Sequence, residues 1–285
     1  MAKGMKNTKQ VNYWMLGDFD GAKPIEQAFS EAKKMGYDGV ELTFGHGELG
    51  PRITEARCRE IRRAARNTGV KMESLCTGVY WEQSLTDPRA SVRHKAVAFT
   101  KAYLQVARWL GVRVILVVPG AVDVAFMPDA RVVPYARVWK LATEAIRKCL
   151  PVARATGVTM GIENVWNFFL TDPMALKSFV DQFKSPRVAV YFDVGNCMIN
   201  GYPDHWIEIL GKRIKAVHFK GFRRADGGGG MSGFTSDLMD GDVDWKAVTG
   251  ALKKIKYAGP ITAEMLPPDM AVARKTAGRM KKILG

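Results

Sequence analysis

One phrase recurs along this chain: a helix-like stretch closes on a turn residue, and a short β-rich run follows at once. It reads MGYDGVELTF (35–44), TGVKMESLC (68–76), LGVRVILVV (110–118), TGVTMGIEN (156–164), PRVAVYFDV (186–194), RIKAVHFK (213–220) and AGPITAEM (258–265). The runs are short and almost wholly apolar, as strands buried on both faces of a parallel sheet are. Gly36, Gly69, Gly111, Gly157 and Gly259 suit the left-handed position just past a helix C-terminus. Residues 12–16 supply strand one. Between the runs, the spacing predicts helices over 24–35, 53–67, 89–109, 135–155, 172–183, 203–211, 245–255 and 269–283. Pro24 is placed at a first helical position, Asp172–Pro173 as a cap and first residue, and Asp244 as a cap. Pro151 is expected to end or kink its helix.

Eight strands alternating with eight helices, with no linker between them, predict an α/β fold of one domain. A length of 285 residues suits a (β/α)8 barrel, which takes about 250. A doubly wound open sheet is the rival, but it carries a Gly-rich phosphate loop after strand one. The segment there, GDFDGAKP, has none. The barrel is therefore assigned to 11–285. Residues 1–10, basic and polar, are expected to form a flexible lead-in without the apolar run of a secretion signal. No stretch approaches the roughly 18 apolar residues of a membrane helix. Cys58, Cys76, Cys149 and Cys197 are scattered, form no C-x-x-C pair and predict a reducing, cytoplasmic setting. The net charge of +15 suits an anionic partner such as nucleic acid, an anionic surface or a sugar phosphate. The cations are spread over the outer helices, however, with no block resembling a nucleic-acid arm, so a solvated basic exterior is the reading adopted.

The chemistry concentrates at strand ends. Strands five to eight finish on Glu163, Asp193, His218 and Glu264. A charged group closing an apolar strand is costly unless paired or metal-bound. In a barrel, four consecutive strand ends stand side by side on one rim. Three carboxylates there would repel one another and raise each other's pKa, and a divalent cation resolves the repulsion. Oxygen-rich ligation with one imidazole suits Mn²⁺, Mg²⁺, Co²⁺ or Zn²⁺, with no cysteine in the set. Taken singly, each residue has a plainer reading, an ion pair or a buried core histidine. Their coincidence on consecutive strands favours the metal. The segment ADGGGGMSGFTSDLMDGD (225–242) follows strand seven on the same rim and reads equally as a lid or as an irregular insertion. Glu41 and Glu73, on strands two and three, either reach the pocket or balance a rim charge, the second being the reading adopted, and His46 is read as a solvated loop residue.

At this point the runs GIENVWNFFLTDP, VYFDVGNCMINGYP, LGKRIKAVHFKGF and DGDVDW resemble the sugar phosphate isomerase/epimerase family, the xylose-isomerase-like TIM barrels. Within that family they are most similar to L-ribulose-5-phosphate, hexulose-phosphate and ketose 3-epimerase types. The resemblance is strong over 156–265 and diffuse before it. It implies one divalent ion, Mn²⁺ first among the candidates, held by Glu163, Asp193, His218 and Glu264. It also implies a mechanism in which Glu163 and Glu264 move a proton on opposite faces of a ketose through a cis-enediolate. Lys220 and Arg224 match positions that hold substrate oxygens or phosphate, and Asn196, Trp166 and Asn167 complete the expected substrate contacts. Asn196 stands where many free-ketose 3-epimerases carry histidine, and Gly221 where relatives carry aspartate. The first departure counts against a free ketose, and the +15 charge with Lys220 and Arg224 tilts the expectation toward a phosphorylated sugar. Relatives are often dimers or tetramers, so a homo-oligomer is an open expectation. Neither nucleic acid nor membrane is expected as a partner.

Three other functions fit the scaffold. An endonuclease IV-type nuclease would explain the charge but needs a histidine-rich multi-zinc site, and the chain has four histidines in all. A metal-dependent lyase, an inosose or dehydroshikimate dehydratase, shares the proton abstraction and then loses water. A sugar-binding protein without catalysis would not need the glutamate pair.

Overall fold

Eight parallel strands close into a barrel in the order β1-β10-β7-β6-β5-β4-β3-β2. The computed structural model describes residues 4–17, 19–124, 126–127, 131–226 and 231–285. The barrel strands are β1 (Lys9–Asn12), β2 (Gly39–Thr43), β3 (Ser74–Cys76), β4 (Val114–Val117), β5 (Thr159–Glu163), β6 (Val188–Asp193), β7 (Ile214–Phe219) and β10 (Ile261–Ala263). Apart from Lys9 and Lys215, every residue of these strands is buried, so the apolar runs face side chains inside the barrel and helices outside it. The helices are α1 (Ile25–Met35), α2 (Glu55–Thr68), α3 (Val79–Glu82), α4 (Ala90–Leu110), α5 (Tyr135–Thr156), α6 (Pro173–Asp181), α7 (Val194–Cys197), α8 (Pro203–Leu210), α9 (Trp245–Lys254) and α10 (Met270–Leu284). The TIM-barrel expectation holds across the chain.

Several local expectations are corrected. Strand one lies at Lys9–Asn12, so Lys9 and Gln10 belong to the barrel and not to a lead-in. The Asn12 side chain accepts a hydrogen bond from the Trp14 amide and turns the chain into a 3-10 turn over Tyr13–Met15. That local bond competes with the ladder and stops the strand. Pro151 does not end α5, which runs on to Thr156. Pro151 and Arg147, whose carbonyl it leaves without a helical donor, are both exposed, so water can satisfy that group. Pro24 stands at the cap of α1, one position before its first turn. The left-handed glycines appear at Gly36 (φ 90°), Gly69 (71°), Gly111 (75°) and Gly157 (74°). Gly259 has another reason: a Cβ there would sit 2.5 Å from the Lys215 carbonyl oxygen, so the loop before β10 needs bare backbone.

The glycine run 227–230 lies outside the described residues, and the lid expectation rests on it. The flanking parts of 225–242 are not irregular throughout. Phe234–Thr235 (β9) pairs antiparallel with Gly221–Phe222 (β8). Asp237 is tied to Arg279 of α10 at 2.7 Å and to Lys275 at 3.0 Å. Asp172 and Asp244 cap α6 and α9, accepting from backbone N–H groups of the first turn. Among the described residues, no helix is long and apolar enough to cross a membrane. All four cysteines are buried thiols.

Candidate metal centre

The register of the sheet sets the site. Glu163 is the last residue of β5 and Asp193 the last of β6; Asp193 pairs directly with His218 on β7. Glu264 follows the last residue of β10, and its amide donates to the Phe219 carbonyl. One ligand-capable atom from each of these four residues lies within 4.8 Å of the others, and all four residues are buried. Asp193 has a second task. Its Oδ1 accepts from the Asn196 amide at 2.7 Å and so caps α7, which leaves Oδ2 turned to the cluster. Asn164 braces the same spot: its side chain donates to the Asp193 carbonyl at 2.8 Å and accepts from the Asp193 amide at 2.9 Å. Sequence reasoning missed Asn164, although it stands beside Glu163 in the run GIEN.

These side chains fit a cation by what they leave unsatisfied. Six buried side-chain polar atoms among the described residues lack a hydrogen-bond partner, and Asp193 Oδ2, His218 Nδ1 and Glu264 Oε2 are three of them. Such groups are rare in folded proteins, and an absent ion is one of their standard explanations. His218 Nδ1 and Glu264 Oε2 are 3.0 Å apart, but the contact lacks hydrogen-bond direction. Nδ1 also faces Asp193 Oδ2 at 3.8 Å and Glu163 Oε1 at 3.9 Å. Three carboxylates and one imidazole make a hard, oxygen-rich set that can hold one divalent ion.

Lys220, two residues past His218, is also in the cluster. Its ammonium lies 2.7 Å from Glu264 Oε2 and 3.1 Å from Asp193 Oδ2. Three carboxylates, a divalent ion and this ammonium sum to zero formal charge. Without an ion the balance is uneven. Burial, then the Glu264 carboxylate, pushes Glu163 well above the usual carboxylate range. Burial also raises Asp193, against the opposing pull of Lys220. Glu264 is held low despite its burial, because His218 and Lys220 both face it. Burial alone would lower His218, but Glu264 and Glu41 drive it well above the ordinary imidazole value.

Above the cluster is a cavity of about 240 Å³ that Glu163, Glu264, Asn196, Trp166 and Lys220 help to line. The rest of its wall is largely apolar: Trp14, Phe19, Trp81, Phe126, Phe234 and Leu266 among others. A larger cavity of about 490 Å³ shares Trp81 and Val118 with it but touches none of the four cluster residues, so the smaller one is the candidate site. Of the residues expected to contact substrate, Asn196, Trp166 and Lys220 line this cavity, with Trp166 stacked on Phe234 at 4.7 Å. Asn167 is not. It is fully buried, donates to the Gly120 carbonyl at 2.6 Å and accepts from the Phe169 amide, so its side chain ties two loops together. Arg224 is outside the cavity wall as well. Its guanidinium donates to the Gly201 carbonyl at 2.7 Å and covers the Tyr202 ring, because the β8–β9 hairpin carries it toward α8. Among the described lining residues, Lys220 is the one cation.

Glu41 was read as a rim charge and is instead fully buried inside the barrel, 2.7 Å from His218 Nε2. Glu73 lies toward the opposite end and accepts from Thr8 at 2.7 Å. His46 is part-exposed on its loop, 3.7 Å from Glu82.

Residues 29–283 match the profile of the family described as xylose isomerase-like TIM barrel. The "Putative L-ribulose-5-phosphate 3-epimerase SgbU" of Escherichia coli (strain K12) is 24% identical over 261 residues, 88% of each chain. Among solved structures, an L-ribulose 3-epimerase superposes with a TM-score of 0.78 at 16% identity, covering 98% of this chain and 94% of its own. A D-psicose 3-epimerase, determined in the presence of D-fructose, gives 0.79 at 17% identity, covering 97% and 99%. At those identities the superpositions speak for the fold.

Proposed function

Because the chain belongs to the xylose isomerase-like TIM-barrel family, we propose that it is a divalent-metal-dependent epimerase or isomerase of a ketose, with Mn²⁺ as the first candidate ion. Glu163, Asp193, His218 and Glu264 would hold the ion. Its charge, placed beside a substrate carbonyl, would acidify the proton on the neighbouring carbon. Glu163 and Glu264 then move that proton. One glutamate takes it, leaving a cis-enediolate, and the other returns a proton from the opposite side. The apolar wall excludes water that would compete for the enediolate. The observation that carries this reading is the convergence, within 4.8 Å, of one buried ligand-capable atom each from Glu163, Asp193, His218 and Glu264 beneath a cavity that both glutamates line.

We also infer a substrate without a phosphate. Lys220, the one cation in the described wall, is already engaged by Asp193 and Glu264, and Arg224 faces away. The rings that remain suit the C–H faces of a sugar better than a dianion. This reverses the tilt that the net charge suggested. A nuclease reading loses support on the same ground: His46, His94 and His205 lie on loops or outer helices, away from the cluster. A dehydratase shares the first step and is told apart by a product lighter by one water.

The test is exchange of the substrate α-proton with solvent deuterium, read by NMR over a panel of free and phosphorylated pentuloses and hexuloses. Glu163→Gln and Glu264→Gln should abolish exchange while circular dichroism stays unchanged, and Asp193→Ala should lower metal occupancy by elemental analysis. Exchange at the wild-type rate in both glutamine variants would sink the mechanism. Clear preference for phosphorylated ketoses would sink the substrate assignment alone.

A further inference from the structure

Glu41 is a carboxylate with no exposed surface, yet every part of it is engaged. Its Oε2 accepts from Asn12 Nδ2 at 2.9 Å and lies 2.7 Å from His218 Nε2. Its Oε1 accepts from Ser74 Oγ at 2.6 Å and from the Tyr191 hydroxyl. The four partners come from β1, β7, β3 and β6, so the barrel itself fixes this side chain. The Tyr191 ring also meets the His218 ring at 4.6 Å and 61°, which fixes the imidazole plane.

The imidazole thus stands between two acidic groups of different kinds. On the inner side Nε2 lies 2.7 Å from Glu41 Oε2, an oxygen placed to accept its proton in a hydrogen bond. On the outer side Nδ1 has no partner and faces Glu163, Asp193 and Glu264. We propose that Glu41 is a positioning residue for the metal centre: it keeps the His218 proton on Nε2 and so presents the Nδ1 lone pair to the ion. A metal-bound histidine commonly donates its other N–H to a carboxylate, which sets the tautomer and strengthens the ligand. A barrel needing only a filled interior would use an apolar residue here, because a buried polar side chain is costly unless its contacts are needed. The inference rests on the metal reading above and adds a fifth residue to it, one that touches neither ion nor substrate.

The experiment measures Mn²⁺ affinity by calorimetry on chelator-treated protein, with no substrate present. Glu41→Met removes the acceptor from Nε2 while filling a similar volume, with circular dichroism and Tm confirming that the barrel still folds. The substitution should weaken binding on the order of tenfold or more. In a His218→Ala background, which still offers three carboxylates, the same change should have little effect, because Glu41 acts through the imidazole. An equal fall in both backgrounds, or none in the wild-type background, overturns the proposal. Wild-type protein with no divalent affinity overturns this inference and the metal reading together. One readout needs no variant. Nitrogen NMR of histidine-labelled wild-type protein loaded with Zn²⁺ should show a slowly exchanging proton on His218 Nε2, and a proton on Nδ1 refutes the assignment.

Discussion

Replacing Lys220 by methionine should destabilise the metal-free protein while tightening its grip on a divalent ion. The ammonium serves two carboxylates, Glu264 at 2.7 Å and Asp193 at 3.1 Å, in a site closed to solvent. Methionine keeps most of the unbranched apolar stem, one atom shorter, and removes the charge. Breaking a buried pair by deleting one partner typically costs about 3–5 kcal/mol. A second route gives a similar figure. A stranded carboxylate can escape by taking a proton, and at pH 7 that costs about 4 kcal/mol for a group of ordinary pKa. For a chain of this size the loss amounts to roughly 10 °C in Tm. The ion experiences the opposite effect, because it no longer shares the carboxylates with a like charge. Two positive charges plus one, a few ångströms apart, repel by several kcal/mol even at an effective dielectric of about 20. Mn²⁺ affinity should therefore rise at least tenfold, even as turnover falls with the loss of a group in the cavity wall. Denaturant unfolding of chelator-treated protein and calorimetric titration with Mn²⁺ supply the two numbers. Metal-free stability equal to wild type, or weaker Mn²⁺ binding, would refute the charge balance on which the site is built.

Two more outcomes follow from contacts around the site. Gly195→Ala would place a Cβ 2.8 Å from the Lys220 Cβ and 2.9 Å from its carbonyl oxygen, so α7 must move off β7. We expect a loss of about 1–3 kcal/mol and weaker Mn²⁺ binding, since the Asp193 cap moves with it, and unchanged affinity would show that α7 does not position the ligand. Asp237 tests the anchoring of the β8–β9 hairpin. Although burial opposes it, Arg279, the Met239 amide and Lys275 hold its carboxyl well below the usual range. A depressed folded pKa contributes stability that is complete above the unfolded value, about 3.9, and fades as the pH falls below it. Arg279→Met should thus lower Tm at pH 7, with the gap to wild type closing below about pH 4; a gap that widens on acidification contradicts the anchor.

The fold was legible because a parallel barrel makes one demand eight times. A strand covered on both faces must be short and apolar, so a charged residue in it is conspicuous, and Glu163, Asp193, His218 and Glu264 stand out at strand ends. Glu41 and Glu73 look alike by the same standard, since each interrupts an apolar run on a neighbouring strand. Register separates them: Glu41 pairs with Asn12 and reaches His218 across the interior, whereas Glu73 meets Thr8 toward the other end. No spacing within one segment encodes a contact between residues 177 positions apart. Lys220 and Arg224 fail to separate for a related reason. They lie two and six residues past His218, and a two-residue strand between them decides that one faces the cluster and the other Tyr202. The net charge is uninformative about the site for a third reason. A total of +15 describes the exterior, while the site's own sign is set by three carboxylates and one engaged ammonium. A molecule arriving at the rim meets the second quantity, about which the exterior total carries no information.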